Sequence, residues 1–597
     1  MPVTQTISDR LQALRAQLQQ SGFDAIVVPR ADEYLGEYIP EHNERLRWVS
    51  GFTGSAGAVV VTRDKAAIFV DGRYTVQVRQ QVDGELFEYC RLAEDPQPQW
   101  LARALPKGAK VVCDPRMHSL RWYRETSEAL RDTGLELHTT TDNPIDRCWL
   151  DRPSARVSPA LLLAERFTGE SSLSKRQRIG TAIAARGAAA ALVFAPDSVS
   201  WLLNIRGTDI PKLPVVQSFA LLDADGSASL FIDPGRVPDG LAAHVGDGVQ
   251  VVPEAEAEQA LAAYSGRTVL ADPDTANAWT QLVLEAAGAR LLPAQDPVLL
   301  PKACKNPVEI EGSRQAHIRD AVAEIRFLAW LDAQVLAGKP HDEASLADQL
   351  YRFRAEGELF HELSFDTISA AGPNAAMCHY NHLNVKTPTA LPMDSVYLLD
   401  SGGQYTDGTT DITRTVAIGD PGDEIRRMFT LVLKGHIALD RVRFPPGTTG
   451  TQLDILARQF LWDEGFDYDH GTGHGVGVFL SVHEAPQRIA KAHNATELSP
   501  GMIVSNEPGY YRAGGFGIRC ENLVVVRESQ RTGDELPMRE FEALTLVPFD
   551  LRLLDKTLMT QGEIDWLNNY HRQVAETVGP LLQGSDREWL EQATRAA

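Results

Sequence analysis

Four acids and one histidine in the last third of the sequence have types and settings that could do metal chemistry. Asp400 ends the apolar run VYLLD, Asp411 opens DITRTVAI, His474 lies in the glycine-rich HGTGHGVG, Glu507 closes MIVSNE ahead of Pro-Gly, and Glu521 interrupts GIRCENLVVV. Each alone has an ordinary explanation: an Asp at a strand end caps a turn, a His among glycines is a satisfied loop residue, a Glu near Arg519 is an ion pair. Together, four carboxylates and one imidazole make an oxygen-rich donor set that suits two hard or borderline divalent cations better than a thiolate zinc site. Competing motifs fail on spacing. The glycines run G-x-G-x-G, which is not the dinucleotide fingerprint, no P-loop lysine follows, and His483 in SVHEAP lacks the second histidine of a zincin helix.

These residues need elements to bring them together. VYLLD and DITRTVAI read as two strands joined through the turn residues SGGQYTDGTT, a hairpin that carries Asp400 and Asp411 to one end of a sheet. Alternation puts Asp411, Thr413 and Thr415 on one face, and in GIRCENLVVV it puts Arg519 and Glu521 opposite Ile518 and Cys520. The domain holding them opens at a capping box, with Asn306 as N-cap, Pro307 at N1 and Glu309 at N3. Ile318, Val322 and Ile325 then extend a long helix to about Val335. From Phe549 a further helix carries Trp566, Leu567, Tyr570, Val574 and Val578, to cover a core edge or to pack on another subunit.

The first 300 residues read as one α/β layout used twice. Residues 10–28 run parallel to 176–194, Trp48 answers Trp201, and GAVVVTRDKAAIFVDGRY answers SFALLDADGSASLFIDPGR. Unequal offsets place the differences in loops, which predicts tandem α/β domains at 1–155 and 156–305, then a domain at 306–548 and an extension at 549–597. The opening residues put Leu11, Leu14 and Leu18 on one helical stripe and lack the apolar core of a signal peptide. With 58 Lys and Arg against 80 Asp and Glu, the net charge of −22 over 597 residues discourages nucleic acid and anionic membranes as partners. No apolar run approaches the ~18 residues of a membrane span. The six cysteines are dispersed, which suits a reducing cytoplasm.

The ordered settings LLDSGG, DGTTDITRT, GTGHGVG, SNEPGYY and GIRCEN resemble the pita-bread metallopeptidases, and among them aminopeptidase P (the Xaa-Pro aminopeptidases) of the long, three-domain cytosolic type. The resemblance implies an α/β and α+β multidomain chain, with two tandem creatinase-type N-terminal α/β domains followed by a pita-bread catalytic domain. It implies removal of an N-terminal residue from peptides with proline second, two divalent metal ions (manganese, with zinc or cobalt as alternatives), a homodimer and a cytoplasmic location. By position, Asp400 binds one metal, Asp411 and Glu521 bridge both, and His474 and Glu507 complete the second. The two metals share a water that attacks the Xaa-Pro carbonyl. Glu507 moves the proton. His379 in MCHYNH, His470 and His483 orient substrate or stabilise the tetrahedral intermediate, with His382 a competitor for the first of these places. Arg519 steadies the cluster, and Arg73 in DGRY matches a position that reaches the substrate. HEAP stands after His483 where HEGP is more usual. A prolidase-like dipeptidase would share the metal site, and a non-catalytic binding protein would share the scaffold.

Overall fold

The computed structural model describes residues 5–597, which divide into two compact units. The first runs to Leu162 and adds Glu170–Pro211 and Val215–Val298. The second comprises Leu163–Gly169, Lys212–Pro214 and Leu299–Ala597.

In the first unit, helix α1 (Ile7–Ser21) buries Leu11, Leu14 and Leu18, starts at a Thr6/Asp9 capping box and stops at Gly22 in the left-handed region, φ 72°. Strands β1 (Ala25–Pro29), β2 (Ala58–Thr62), β3 (Ala66–Val70), β4 (Glu88–Arg91), β5 (Lys110–Cys113) and β6 (Glu136–Thr139) form a sheet ordered β4-β3-β2-β1-β5-β6. Both faces of its centre are covered, which is why β1, β2 and β3 are almost wholly apolar, whereas β4 and β6 at the two edges carry polar, exposed residues. Ile26, Val28, Val59, Val61 and Ile68 pack with α1, while Ala25, Val27, Val60 and Phe69 pack with Trp100, Leu101 and Leu130.

Helix α2 (Ser172–Ala185) and strands β7 (Ala190–Val193), β8 (Ser218–Asp223), β9 (Ala228–Ile232), β10 (Val249–Pro253), β11 (Thr268–Ala271) and β12 (Arg290–Pro293) repeat this plan in the order β10-β9-β8-β7-β11-β12. Every strand matches its counterpart six places earlier, with the same two antiparallel and three parallel pairings. Trp48 and Trp201 are both buried on short helices that follow the central strand of their sheet.

The second unit begins with α3 (Pro307–Leu336), capped by Asn306 and Glu309 as the sequence predicts, and continues through α4 (Glu343–Ala355). Strands β13 (Ile368–Ala371), β14 (Ser395–Ser401) and β15 (Ile412–Ile418) pair in that order, with Asp400 opposite Thr413. The segment joining β14 to β15 is more than a turn: Gly403–Tyr405 and Gly408–Thr409 make a small sheet with Phe360–Leu363. Beyond α5 (Gly422–Asp440), with α6 (Gly450–Trp462) between its first two strands, a second sheet uses β16 (Arg443–Phe444), β17 (Gly473–Gly475), β18 (Glu484–Ile489), β19 (Ile503–Asn506), β22 (Asn522–Glu528) and β23 (Arg539–Ala543) in the order β16-β23-β22-β19-β17-β18. Strands β20 (Gly509–Arg512) and β21 (Phe516–Arg519) pair separately.

GIRCENLVVV is therefore two strands in two sheets, not one continuous strand. Helix α7 (Gln561–Val578) sends Leu567, Tyr570, Val574 and Val578 into the core shared with Ile325, Phe429 and Val432, so the C-terminal segment completes this unit's core. Among the described residues, no helix is long and apolar enough to cross a membrane. All six cysteines are free.

Candidate metal centre

The β14–β15 hairpin and the ends of β17, β19 and β21 converge. Asp411, His474 and Glu521 each offer a ligand atom, all within 4.8 Å of one another. His474 Nδ1 lies 2.9 Å from the Gly475 carbonyl, so Nδ1 carries a hydrogen and Nε2 faces the acids. That Nε2 is 3.5 Å from Asp411 Oδ2 and 3.7 Å from Glu507 Oε1. Thr413 Oγ1 donates to Glu521 Oε2 at 2.6 Å, and the Glu521 N–H reaches the Thr413 carbonyl at 3.3 Å. Arg519 pairs with Asp400 Oδ2 and donates to Thr413 Oγ1 at 3.0 Å. Arg519 and Glu521 thus meet at Thr413 even though the strand breaks between them. Glycine at 473 is required, because a Cβ there would lie 2.0 Å from the Ser505 carbonyl oxygen. This close approach seats His474 beside β19 and Glu507.

Burial makes Asp400, Glu507 and Glu521 reluctant to ionise, and neighbouring carboxylates add to it. Asp400 is pushed up to about 7 by burial and by Asp411, against the pull of Arg519. Glu521 is driven well above the carboxylate range by burial and then by Asp411, Asp400 and Glu507. Glu507 is also raised, chiefly by burial. Burial opposes a charge on His474, yet Asp411 and Glu507 outweigh it and draw the ring up to about 9. The field that attracts a proton to Nε2 likewise attracts a metal cation. Asp400 Oδ1 is buried with no hydrogen-bond partner. One guanidinium among four carboxylates, an orphaned carboxylate oxygen and an inward imidazole nitrogen that a cation can hold in place of a proton are features that divalent cations complete. The residues fit a metal centre.

The other predicted residues fall into place around it. His470 is pushed down to about 3 by burial, with the charges of Arg519 and His379 adding to it. Its Nδ1 lies 2.7 Å from the Gly471 carbonyl, and its Nε2 lies 2.8 Å from the Tyr511 hydroxyl, which itself accepts from Arg519 at 2.8 Å. Both ring nitrogens are thus engaged within the protein. The His483 ring meets His474 edge-on, with centroids 4.4 Å apart. His379 lies between β13 and β14. His382 is buried elsewhere: the charges that reach it are those of Glu343, Asp366, Asp348 and Asp342, none of them in the metal cluster. Arg73 belongs to the first unit, where it grips Asp71 at 2.8 Å and lies over the Tyr74 ring.

Several contributors went unread in the sequence. Buried Arg458 bonds Asp454 at 2.7 Å and the carbonyls of Tyr468 and His470 at 2.7 and 2.9 Å, while Thr472 bonds Asp454 at 2.6 Å, so α6 holds the loop leading to His474. An Asp and an Arg four apart on a helix just before that loop were the available signal. Tyr511 could have been found from pairing: on β20 it shares a face with Gly509, which lies opposite Arg519.

Comparison with known proteins follows the same line. Models of the Creatinase/Prolidase N-terminal domain match residues 10–148 and 151–309, metallopeptidase family M24 matches 311–528, and the C-terminal region of peptidase M24 matches 537–597. A probable Xaa-Pro aminopeptidase P of Tuber melanosporum is 39% identical over 614 residues, covering 98% of this chain and 98% of its own. The chain belongs to the Xaa-Pro aminopeptidase P family. Another relative, aminopeptidase P1 of Arabidopsis thaliana, is 36% identical over 98% of this chain and 99% of its own. The crystal structure of an X-prolyl aminopeptidase from Caenorhabditis elegans, described as a cytosolic enzyme with a di-nuclear active site, matches with a TM-score of 0.95 at 33% identity, over 99% of this chain and 100% of that one. Two creatinase-type domains ahead of a pita-bread domain are thus the aminopeptidase P fold.

Proposed function

We infer that the protein is a metal-dependent Xaa-Pro aminopeptidase, a hydrolase that releases the N-terminal residue of peptides with proline in second place. The observation that carries this is the convergence of buried Asp400, Asp411 and Glu521 with half-buried His474 and Glu507 in a chain that is related along its whole length to Xaa-Pro aminopeptidases. We read the five as ligands of two divalent ions, with Asp400 on one, Asp411 and Glu521 shared, and His474 and Glu507 on the other. Manganese is our choice of metal. The orphaned Oδ1 of Asp400 and the inward Nε2 of His474 support the assignment.

When bound, the ions supply Lewis acidity and a water whose pKa falls towards neutrality. The chain's own groups do the rest. Glu507, with one oxygen towards His474 and the other 3.8 Å from His470, takes the proton and hands it to the departing proline nitrogen. An amide before proline has no N–H, so recognition falls on its carbonyl, to which His379 and His483 donate as charge develops on that oxygen. Arg519 pulls against the burial that raises Asp400 and, through Tyr511, fixes His470 as a neutral wall of the site. We read the enzyme as a cytoplasmic homodimer acting on peptides, and not on nucleic acid or membranes.

The deciding experiment strips the protein with chelator and restores manganese. Release of the first residue from an Xaa-Pro-Yaa peptide should return while Xaa-Ala-Yaa stays largely uncut. Equal cleavage of both would sink the proline specificity, and preference for a bare Xaa-Pro dipeptide would make it a dipeptidase. Refilling with zinc or cobalt in parallel tests the choice of manganese.

A further inference from the structure

Segment 371–389, between β13 and β14, carries His379 and has little regular structure of its own. Its two ends and its middle meet at one side chain. Glu343, the first residue of α4, has no exposed surface. Its Oε1 accepts the Ala371 N–H at 2.9 Å and Asn374 Nδ2 at 2.8 Å; its Oε2 accepts the Thr389 N–H at 3.0 Å and the Tyr380 hydroxyl at 2.6 Å. The Glu343 N–H donates to the Thr389 carbonyl at 3.1 Å. The helix does not need this carboxylate as its cap, because Asp342 already caps it through Ser345.

Opposite Glu343, the segment is pressed against β21. A Cβ on Gly517 would lie 1.8 Å from the Ala375 carbonyl oxygen, and Gly517 is two residues from Arg519. The Tyr380 ring packs with Ala375 and Leu398, the latter two residues before Asp400. The segment is thus held between a four-donor carboxylate and the strands that bear the metal cluster, and the charge of His379 bears on His470. A buried anion with four donors and no basic side chain among its partners is a costly way to close a surface loop, and a rigid one when fully satisfied.

We propose that Glu343 is a positioning residue of the reaction: its carboxylate clamps segment 371–389 so that His379 is presented to the substrate carbonyl. The proposal rests on the reading of His379 given above. In E343Q the side chain keeps its shape, but one acceptor becomes an NH2 group facing donors. In the metal-loaded full-length enzyme, E343Q should lower kcat on an Xaa-Pro-Yaa peptide by about 10- to 100-fold with metal content unchanged, whereas in an H379A background it should cost less than about threefold more. Tyr380→Phe keeps the ring and loses one hydrogen bond, so it should show a smaller loss with the same lack of additivity.

A purely structural role predicts equal factors with and without His379, and that result, or an E343Q enzyme as active as its parent, overturns the clamp. An H379A enzyme with full activity overturns the reading of His379 itself, and the clamp with it. Should E343Q fail to fold, the Tyr380→Phe cycle decides by the same criterion.

Discussion

The ion pairs buried in the first unit and the acid cluster of the second hold charge in different ways, although the second unit has balanced pairs of its own, such as Arg458 with Asp454. In the first, Arg236 bonds Asp209 and reaches Gln217 at 3.1 Å, Arg45 pairs with Asp146 at 2.7 Å and Glu33 at 3.3 Å, and Arg176, facing no acid, donates to the carbonyls of Val245 and Asp247 at 2.9 Å. In the second, Asp400, Asp411, Glu507 and Glu521 converge with Arg519 paired to one of them, and Asp400 keeps an oxygen without a donor. An unbalanced set of buried charges does not stabilise a fold; it persists where a bound ion completes it. This difference in accounting, more than any single motif, separates the scaffold from the site.

The strongest way to break that contrast is Asp411→Asn. The substitution conserves shape and removes the charge of the proposed shared ligand, so activity on Xaa-Pro-Yaa peptides should fall by at least about 1,000-fold. Far-ultraviolet circular dichroism should be unchanged, since the pairing of β14 with β15 does not use this carboxylate. Full activity in the variant would rule out the shared-ligand assignment.

What was legible in the sequence follows from how local its signal was. The capping box at Asn306, the leucine stripe of α1 and the doubled α/β plan each depend on neighbours within a few residues or on plain repetition, and the structure has all three. The hairpin carrying Asp400 and Asp411 was also readable, because two apolar runs flanked a turn-rich segment. Alternation within GIRCENLVVV could not reveal that the chain changes partner at Cys520, since a strand's pairing is set by residues far away. Glu343 looks in the sequence like any acid in a first helical turn; its partners lie 28 to 46 residues further on. Arg458 left only the Asp454/Arg458 spacing as a local sign, and its bonds to the loop before His474, like those of Tyr511 to His470 and Arg519, come from other elements.

The contrast is sharpened from the other side by Arg236→Met. Arg236 belongs to the first unit, and its loss leaves Asp209, 3% exposed, with the Ser158 N–H at 2.9 Å but without its guanidinium. Breaking a buried pair in this way should cost about 3 kcal/mol in a denaturant titration. The kcat of the metal-loaded enzyme should stay within about twofold of the parent, because no ligand is touched. A drop in kcat comparable to that of Asp411→Asn would mean that the first unit's ion pairs also serve the chemistry.

The smallest effect concerns histidines. Burial pushes His118 in the first unit and His571 in the second down to about 3, whereas the acids around His474 draw it up to about 9. His571 Nε2 accepts the Phe549 N–H at 3.1 Å, so a proton there would remove an acceptor as well as bury a charge. The folded-state value lies below the ordinary one near 6.5, so between these values the unfolded chain binds more protons and stability falls as pH drops from about 6.5 towards about 3. His571→Gln can keep an acceptor for Phe549 and removes the titration. From pH 7 to 5.5 the parent should therefore lose about 1 kcal/mol more than the variant, read as a difference in denaturant midpoints. Parallel curves for parent and variant over that range would show that burial of His571 does not hold it neutral, and that neutral burial is not the common treatment of histidine from which His474 departs.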